Sequence, residues 1–468
     1  MTVQPILFED HTSARFRPLS WSQPQTEMRC GMFSLRERLG LLVPEGGALA
    51  IRPRLQSLGR DPRWTPLADD AGGPALWLSG RLAPDFPLLR ALLGAAAQGA
   101  FALSDGAGLL ALAAAGPTAA AVRQSWLGWM AGPGGRERAD REPEPWQPPI
   151  PADWAPAAGA EAGLTWRRPS AGGADRPSPL PGPLGWIWEI VPRTAGALAG
   201  DLAAVGVRSW RRHPWGLVPE PAAGEPAWAR PTRLQAAGPG DVPGLVLRGD
   251  GGLHLGADAD LMPGTVVDTR RGPVILDREV TVGAHVFLEG PLYIGPGGRV
   301  KAGACLYGES SYGVGNRLAG EIGESTFGDF ANKQHDGFIG HAVLGSWVNL
   351  GAMTTCSDLK NNYGPVRVDL GWGEVDSGLR FVGLLLGDHA KTAIGTLFNT
   401  GTCVGFAANI FGGTMPPKHV PGFSWGGQPG SPVYAVDKAA ETARTVLSRR
   451  GCRFEPAHAA LFAALASL

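Results

Sequence analysis

The chain has 468 residues, 44% of them hydrophobic, and its 42 Lys and Arg are balanced by 42 Asp and Glu, so the formal net charge is zero. That length leaves room for two or three domains, and neutrality removes the electrostatic case for nucleic acid or an anionic membrane as partner. The five cysteines (Cys30, Cys305, Cys356, Cys403 and Cys452) fall without CxxC pairing, which argues against a zinc site or a disulfide framework and for a reducing compartment. The first residues lack a basic-then-apolar leader, and no apolar run reaches about 18 residues free of charge or proline, so the expectation is a cytoplasmic chain with no membrane span.

In chain order, the apolar run Ile6-Leu7-Phe8 predicts a buried first strand within 5–10, ended by a turn. Met32, Leu35 and Leu39, with charges between them, predict a short amphipathic helix. Residues 75–81 read as another strand. The Ala/Leu-rich stretch 88–121, broken at Gly94, Gly99 and around Gly106, reads as helix, short strand, helix. Alternating strands and helices predict an open α/β domain over 1–185. Its last part, near 132–183, is dense in Pro, Gly, Arg and Glu and reads as an insertion or linker. Residues 186–250 supply a connecting helix, over 195–205, and a further linker.

From 251 to 427 the chain repeats with a period of six. Counting in sixes from Val282 lands on Leu288, Ile294, Val300, Leu306 and Tyr312; a second run lands on Leu386, Thr392, Phe398, Val404 and Ile410. Leu344 and Leu350 keep the spacing between the two. Six matches neither the helical period of 3.6 nor the strand period of 2. It suits a triangular coil with one flat side per hexad, so about eighteen residues close a turn that stacks on the next at strand spacing, roughly 4.8 Å. The aliphatic residue points inward, and the Gly that often follows it (Gly283, Gly295, Gly313, Gly387, Gly405) is expected to ease the corner. The tail, 428–468, carries an amphipathic helix over 436–450, extended by 458–468, and is expected to cover the open end of the coil.

A prism filled with Val, Leu and Ile holds no pocket, so chemistry must lie on its outer faces, on loops that leave it, or between neighbouring prisms. The aliphatic register breaks at 328–340, which supplies Lys333, His335 and Asp336, and the next coil supplies Asn349. An excursion over 354–379 follows, with Lys360, Asn362 and Tyr363; one of that length inside a compact repeat is usually functional. His335 is the natural base near neutral pH. A hydrogen-bonded corner residue is an equal reading of it from spacing alone. No Ser or Cys stands as an obvious nucleophile, so direct transfer fits better than a covalent intermediate.

Asn332-Lys333-Gln334-His335-Asp336-Gly337-Phe338, Leu359-Lys360-Asn361-Asn362-Tyr363, Gly387-Asp388-His389, Phe398-Asn399-Thr400-Gly401 and Phe423-Ser424-Trp425-Gly426-Gly427 resemble the left-handed β-helix acyltransferases. Together with Ile6-Leu7-Phe8-Glu9-Asp10, Pro18-Leu19-Ser20 and Arg29-Cys30-Gly31, they make the whole chain similar to a divergent variant of the bifunctional bacterial UDP-N-acetylglucosamine pyrophosphorylase/glucosamine-1-phosphate acetyltransferase family. The resemblance implies a nucleotidyltransferase-like α/β domain followed by a left-handed parallel β-helix with a terminal helix, assembled as a homotrimer in a sugar-nucleotide pathway. It implies acetyl transfer from acetyl-CoA to an amino-sugar phosphate, with His335 as general base and Asn349 orienting acceptor and base. Asn362 and Tyr363 would contact sugar and acyl carrier, and Gly412 and its neighbours would lie along an acetyl-CoA groove between prisms. Arg317, Lys333 and Lys360 are the cations available for the sugar phosphate, with Lys333 preferred. Phe338 stands where the family places a substrate-binding Tyr.

The N-terminal domain departs further from the family pattern. No Gly-rich loop follows the first strand, Pro24 is followed by Gln25 where Pro-Lys is expected, and Leu78-Ser79-Gly80-Arg81 replaces a metal-binding Asp. Arg17, Arg29 and Arg36 are available for phosphate, or are structural. Two other readings stay open: an active sugar-1-phosphate nucleotidyltransferase using Mg²⁺ and a nucleotide, or a non-catalytic scaffold or sensor.

Overall fold

The computed structural model describes residues 3–59, 61–68, 73–83, 85–105, 108–132, 146, 182–206, 208–220 and 224–468. Most of the Pro-rich stretch predicted near 132–183 lies outside them.

The N-terminal part is a six-stranded sheet of β1 (Gln4–Phe8), β2 (Gly47–Ala50), β3 (Trp64–Pro66), β4 (Ala75–Ser79), β5 (Phe101–Asp105) and β6 (Gly108–Ala114), in the order β3-β2-β1-β4-β6-β5. Strands β1 to β4 are parallel, and β6 runs antiparallel to both β4 and β5. Between helices α3 (Phe86–Gln98) and α4 (Gly116–Ala131), which follow α1 (Leu35–Leu42) and the one-turn α2 (Pro53–Gln56), the chain therefore makes two strands rather than the single short one expected. Ile6, Leu7 and Phe8 are fully buried, as a strand covered on both faces requires. Helix α1 (Leu35–Leu42) starts later than its apolar pattern suggests, because Ser34 and Glu37 close a capping box that fixes its first turn.

Beyond α5 (Ile190–Val205) the chain visits three ladders in rotation, an arrangement consistent with a parallel β-helix. The first ladder stacks Asp260–Leu261, Thr281–Val282, Arg299–Val300, Arg317–Leu318 and Asn332–Lys333, and continues through Asn349 to Lys391–Thr392 and Asn409–Ile410. The second runs from Val246–Arg248 to Phe338–Gly340, and the third, with ten strands, from Gln235–Ala237 to His419–Val420. Val282, Leu288, Ile294, Val300, Leu306, Tyr312, Leu386, Phe398, Val404 and Ile410 share one buried cluster inside the coil. The glycines after them act differently from the expectation. Their backbone is not left-handed; instead a Cβ on Gly295 would stand 2.7 Å from the carbonyl oxygen of Gly313, in the coil above. They permit close stacking of coils, while many corners are turned by left-handed residues such as His285, Trp347 and His389.

A lone prism would expose three faces, but here one is covered. Tyr293 and Ile275, on the outside of the third ladder, pack with Met32, Phe33 and Leu198; Val343, Leu385 and Cys403 pack with Phe16, Leu19 and Ile187. Ser311 Oγ donates to the Gly31 carbonyl at 2.6 Å across the same seam. Among the described residues the other two faces have no such cover. The tail forms two helices rather than one extended helix, α6 (Val436–Ser448) and α7 (Pro456–Ala466), separated by Gly451 in a left-handed conformation and restarted at Pro456. Leu461, Phe462 and Leu465 pack between Phe406 and Phe423 of the coil and Leu35, Leu39 and Leu55 of the N-terminal part.

Candidate functional site

The first ladder presents one outward residue per coil, and in its middle these are Arg299, Arg317, Asn332, Asn349 and Lys391. Asn332 Nδ2 donates to Asn349 Oδ1 at 2.5 Å, so two amides of adjacent coils are locked side by side. His335 follows at the exposed corner after the Asn332 strand, and its ring has no hydrogen-bond partner among the described residues. The corners stack from there, with Met353 N donating to the Asp336 carbonyl and Gly395 N to that of Ala352. Gly412, at the next corner up, is exposed and left-handed, with nothing within 4 Å of a Cβ placed on it.

Lys333 is placed differently from the expectation. It occupies the inward position that Leu318 holds in the coil below and is 1% exposed. Its Nζ donates to the Ala319 carbonyl at 3.2 Å and also to that of His335. Burial pulls its ammonium down to about 8, against the opposing pull of Asp336. A side chain so placed cannot grip a phosphate outside the coil. The coil between Arg317 and Asn332 is shorter than the eighteen-residue turns before it, and this is why the register breaks here.

The excursion leaves the coil after Asp358 and returns at Phe381, its neck closed by a bridge between Leu359 and Phe381. Lys360 Nζ donates to the Pro365 carbonyl at 3.2 Å, and Asn362 Oδ1 accepts from Gly364 N at 3.1 Å, so both organise their own turn. Tyr363 is 67% exposed. Among the described residues no hydrogen bond, ion pair or ring contact joins any of the three to His335 or Asn349. At the neck stands a pair that the sequence reading missed: His341 Nδ1 lies 2.8 Å from Asp358 Oδ2, and the His341 ring stacks on Phe381 with centroids 4.8 Å apart. The two residues are 17 apart, one coil, which is the signal that could have found them.

The crevice of an open α/β sheet lies at the carboxyl ends of the strands where the order reverses, here β1 and β4. Its carboxylates are already matched: Arg52 Nη2 to Glu9 Oε1 at 2.8 Å and Arg81 Nε to Asp10 Oδ2 at 3.3 Å. Gln25 and Thr26 lie directly over the end of β4, so close that a Cβ on Gly80 would stand 2.6 Å from Gln25 Cβ. A Mg²⁺-nucleotide needs open carboxylates and room for phosphates, and these residues do not fit it. Nor do the three arginines converge on it. Arg17 stacks on Trp21 and Trp372, Arg29 pairs with Asp329 of the coil at 3.1 Å, and Arg36 holds Glu27 and Asp61 at 3.0 Å each. All three are thus engaged by other side chains of the protein. A narrow cleft at the seam between sheet, coil and tail is lined by Glu27, Arg29, Glu37, Asp329, Asp388 and His389. Among the described residues, no group of three or more His, Cys, Asp or Glu could hold a metal ion, and no helix is long and apolar enough to cross a membrane.

With this geometry in view, residues 5–127, the six-stranded sheet and most of its helices, match the family model of sugar nucleotidyl transferase. The N-terminal part is thus nucleotidyltransferase-like in sequence as well as fold. The chain is also 28% identical over 100 residues to the bifunctional sugar-1-phosphate nucleotidylyltransferase/acetyltransferase of Sulfurisphaera tokodaii, a stretch covering 21% of this chain and 25% of that relative. The matched stretch therefore spans about a quarter of the relative's length. Both similarities are thus to proteins described as sugar or sugar-1-phosphate nucleotidyl transferases.

Proposed function

We propose that this chain transfers an acetyl group from acetyl-CoA to an amino-sugar phosphate of the glucosamine-1-phosphate kind, on a left-handed β-helix, and that its N-terminal domain no longer transfers nucleotides. The observation that carries the reading is the outward column on the first ladder, where the paired amides of Asn332 and Asn349 adjoin an exposed His335. The His335 imidazole takes a proton from the acceptor amine as that amine attacks the thioester carbonyl; the departing thiolate then recovers the proton from the imidazolium. Asn349 orients the acceptor. Assembly as a homotrimer fits the two uncovered faces and the exposed Met353, Ile394, Leu397 and Phe411 beside them.

The test is release of free CoA from acetyl-CoA by the full chain with a panel of amino-sugar phosphates, wild type beside His335→Ala. A loss of about 10²–10⁴-fold in kcat is expected of a removed general base; full activity in the variant removes His335 from the mechanism. The family match over 5–127 favours a second reading, an active sugar-1-phosphate nucleotidyltransferase. Release of pyrophosphate from a nucleoside triphosphate and a sugar 1-phosphate, dependent on Mg²⁺, would establish it against the filled crevice.

A further inference from the structure

The cleft at the seam lies at the corner between the third and first ladders, whereas His335 stands between the first and second. It holds about 70 Å³, room for about five waters or one organic molecule of that bulk. Four carboxylates line it, and three of them have an arginine: Glu27 pairs with Arg36, Glu37 with Arg212 and Asp329 with Arg29. Asp388 is the fourth. It is 9% exposed and receives only neutral donors, Ser22 Oγ and Ser346 N. The Lys391 ammonium turns instead to the His389 carbonyl at 2.8 Å, and among the described residues no cation pairs with Asp388.

His389, beside it, is a second unmatched group. It is 7% exposed, yet its ring makes no hydrogen bond among the described residues, and Nδ1 is shut off from solvent. Burial, with Lys391 and His458 adding, pulls the imidazole well below its ordinary range, so the ring is neutral and offers one lone pair to a donor. Buried polar groups left unmatched are costly, which implies a partner that the chain itself does not supply. The walls around the pair are aromatic. Trp347 lies parallel to the His389 ring at 6.3 Å, and Phe406 and Phe462 stand edge-on to it at 5.6 and 5.3 Å. Aromatic rings beside an unneutralised carboxylate and a neutral imidazole select a cation that donates hydrogen bonds. Two further unmatched donors on the same cleft, Arg29 Nε and Trp215 Nε1, suit an oxygen acceptor on that molecule.

We propose that this cleft binds a small hydroxylated primary ammonium ion, its ammonium held by Asp388 and His389 and its hydroxyl turned toward Arg29 and Trp215. Ser22 and Arg29 belong to the N-terminal part, Asp388 and His389 to the coil and Phe462 to α7, so the bound ion ties all three together. The site is independent of the acetyl-transfer reading.

Calorimetric titration of the full chain with ethanolamine tests it, at about pH 7, where the amine is charged. Glycerol and glycolate serve as neutral and anionic probes of similar size. Saturable binding of ethanolamine alone is expected, with a Tm that rises with its concentration. Affinity should fall about 10- to 100-fold in Asp388→Asn, fall also in His389→Phe, and stay unchanged in Asp376→Asn on the excursion. Tm measured without ligand checks that each variant is folded, and Asp388→Asn preserves the size of the side chain. The absence of saturable ethanolamine binding to the wild type overturns the site. So does an undiminished affinity in either folded cleft variant. Glycerol or glycolate binding as tightly as ethanolamine overturns it too, because charge would then not be what the cleft reads.

Discussion

Ser22 Oγ donates a hydrogen bond to Asp388 Oδ2 at 2.7 Å, joining the segment after β1 to the coil 366 residues later. The other oxygen, Oδ1, accepts from Ser346 N at 2.7 Å. Burial nevertheless pushes the Asp388 carboxyl up to about 6, against the opposing pull of those donors. Its folded pKa is above its unfolded value, so between roughly pH 4 and 6 the folded chain holds a proton that the unfolded chain has lost. Stability should therefore fall as pH rises through that window. Asp388→Asn is expected to flatten the slope and to raise stability at pH 7 by on the order of 2 kcal/mol, read from denaturant unfolding at pH 4, 5, 6 and 7. An unchanged slope in the variant would show that Asp388 is not the group responsible. Ser22→Ala should cost about 1–2 kcal/mol at pH 7 and less at pH 4, because a bond to a charged acceptor is the one lost.

Lys333 carries the opposite sign. Its folded pKa lies below its unfolded value, so between about pH 8 and 10.5 the unfolded chain holds the extra proton and stability should rise with pH. Lys333→Met should abolish that rise, on the order of 2 kcal/mol, while leaving CoA release intact. A large loss of sugar-phosphate affinity in this variant would instead place the ammonium at the ligand.

Arg29 pairs with Asp329, whose Oδ1 also accepts from Val314 N at 2.8 Å. Truncating the arginine leaves a nearly buried carboxylate without its cation. Arg29→Ala should cost about 2–4 kcal/mol in chemical denaturation. If the arginine served a nucleotide instead, stability without ligand would scarcely change.

The two roles of glycine in the coil can be separated. Gly295→Ala drives a methyl into the backbone of the next coil and should cost several times more than Gly303→Ala, where the space is open and only a left-handed φ of 76° is strained, about 1 kcal/mol. Comparing the two Tm values decides the matter; equal losses would return the glycines to corner-turning.

The inward residues of the coil were legible because a period of six is a local property, carried by each hexad on its own. The same pattern misled at Lys333: a shortened coil moved a charged residue into a place where the count expected none. The fates of Arg17, Arg29 and Arg36 were not legible, because each is decided by a residue far along the chain, Trp372, Asp329 and Asp61 among them. His341 and Asp358 sit one coil apart and were within reach of the count, yet a residue after a strand draws no notice from an aliphatic pattern. Gly451 and Pro456 break the tail by ordinary helix chemistry, which the composition-wide abundance of Gly and Pro had obscured.

The covered third face also bears on why the N-terminal domain persists. Ile275, Tyr293, Val343, Leu385 and Cys403 would meet water if that domain were removed, turning one side of the coil into an adhesive wall. Loss of nucleotide chemistry would not release these contacts from constraint. On the proposed reading, a domain that no longer transfers nucleotides can be retained for its outer surface alone, and the two halves of the chain inherit each other's tolerance for change.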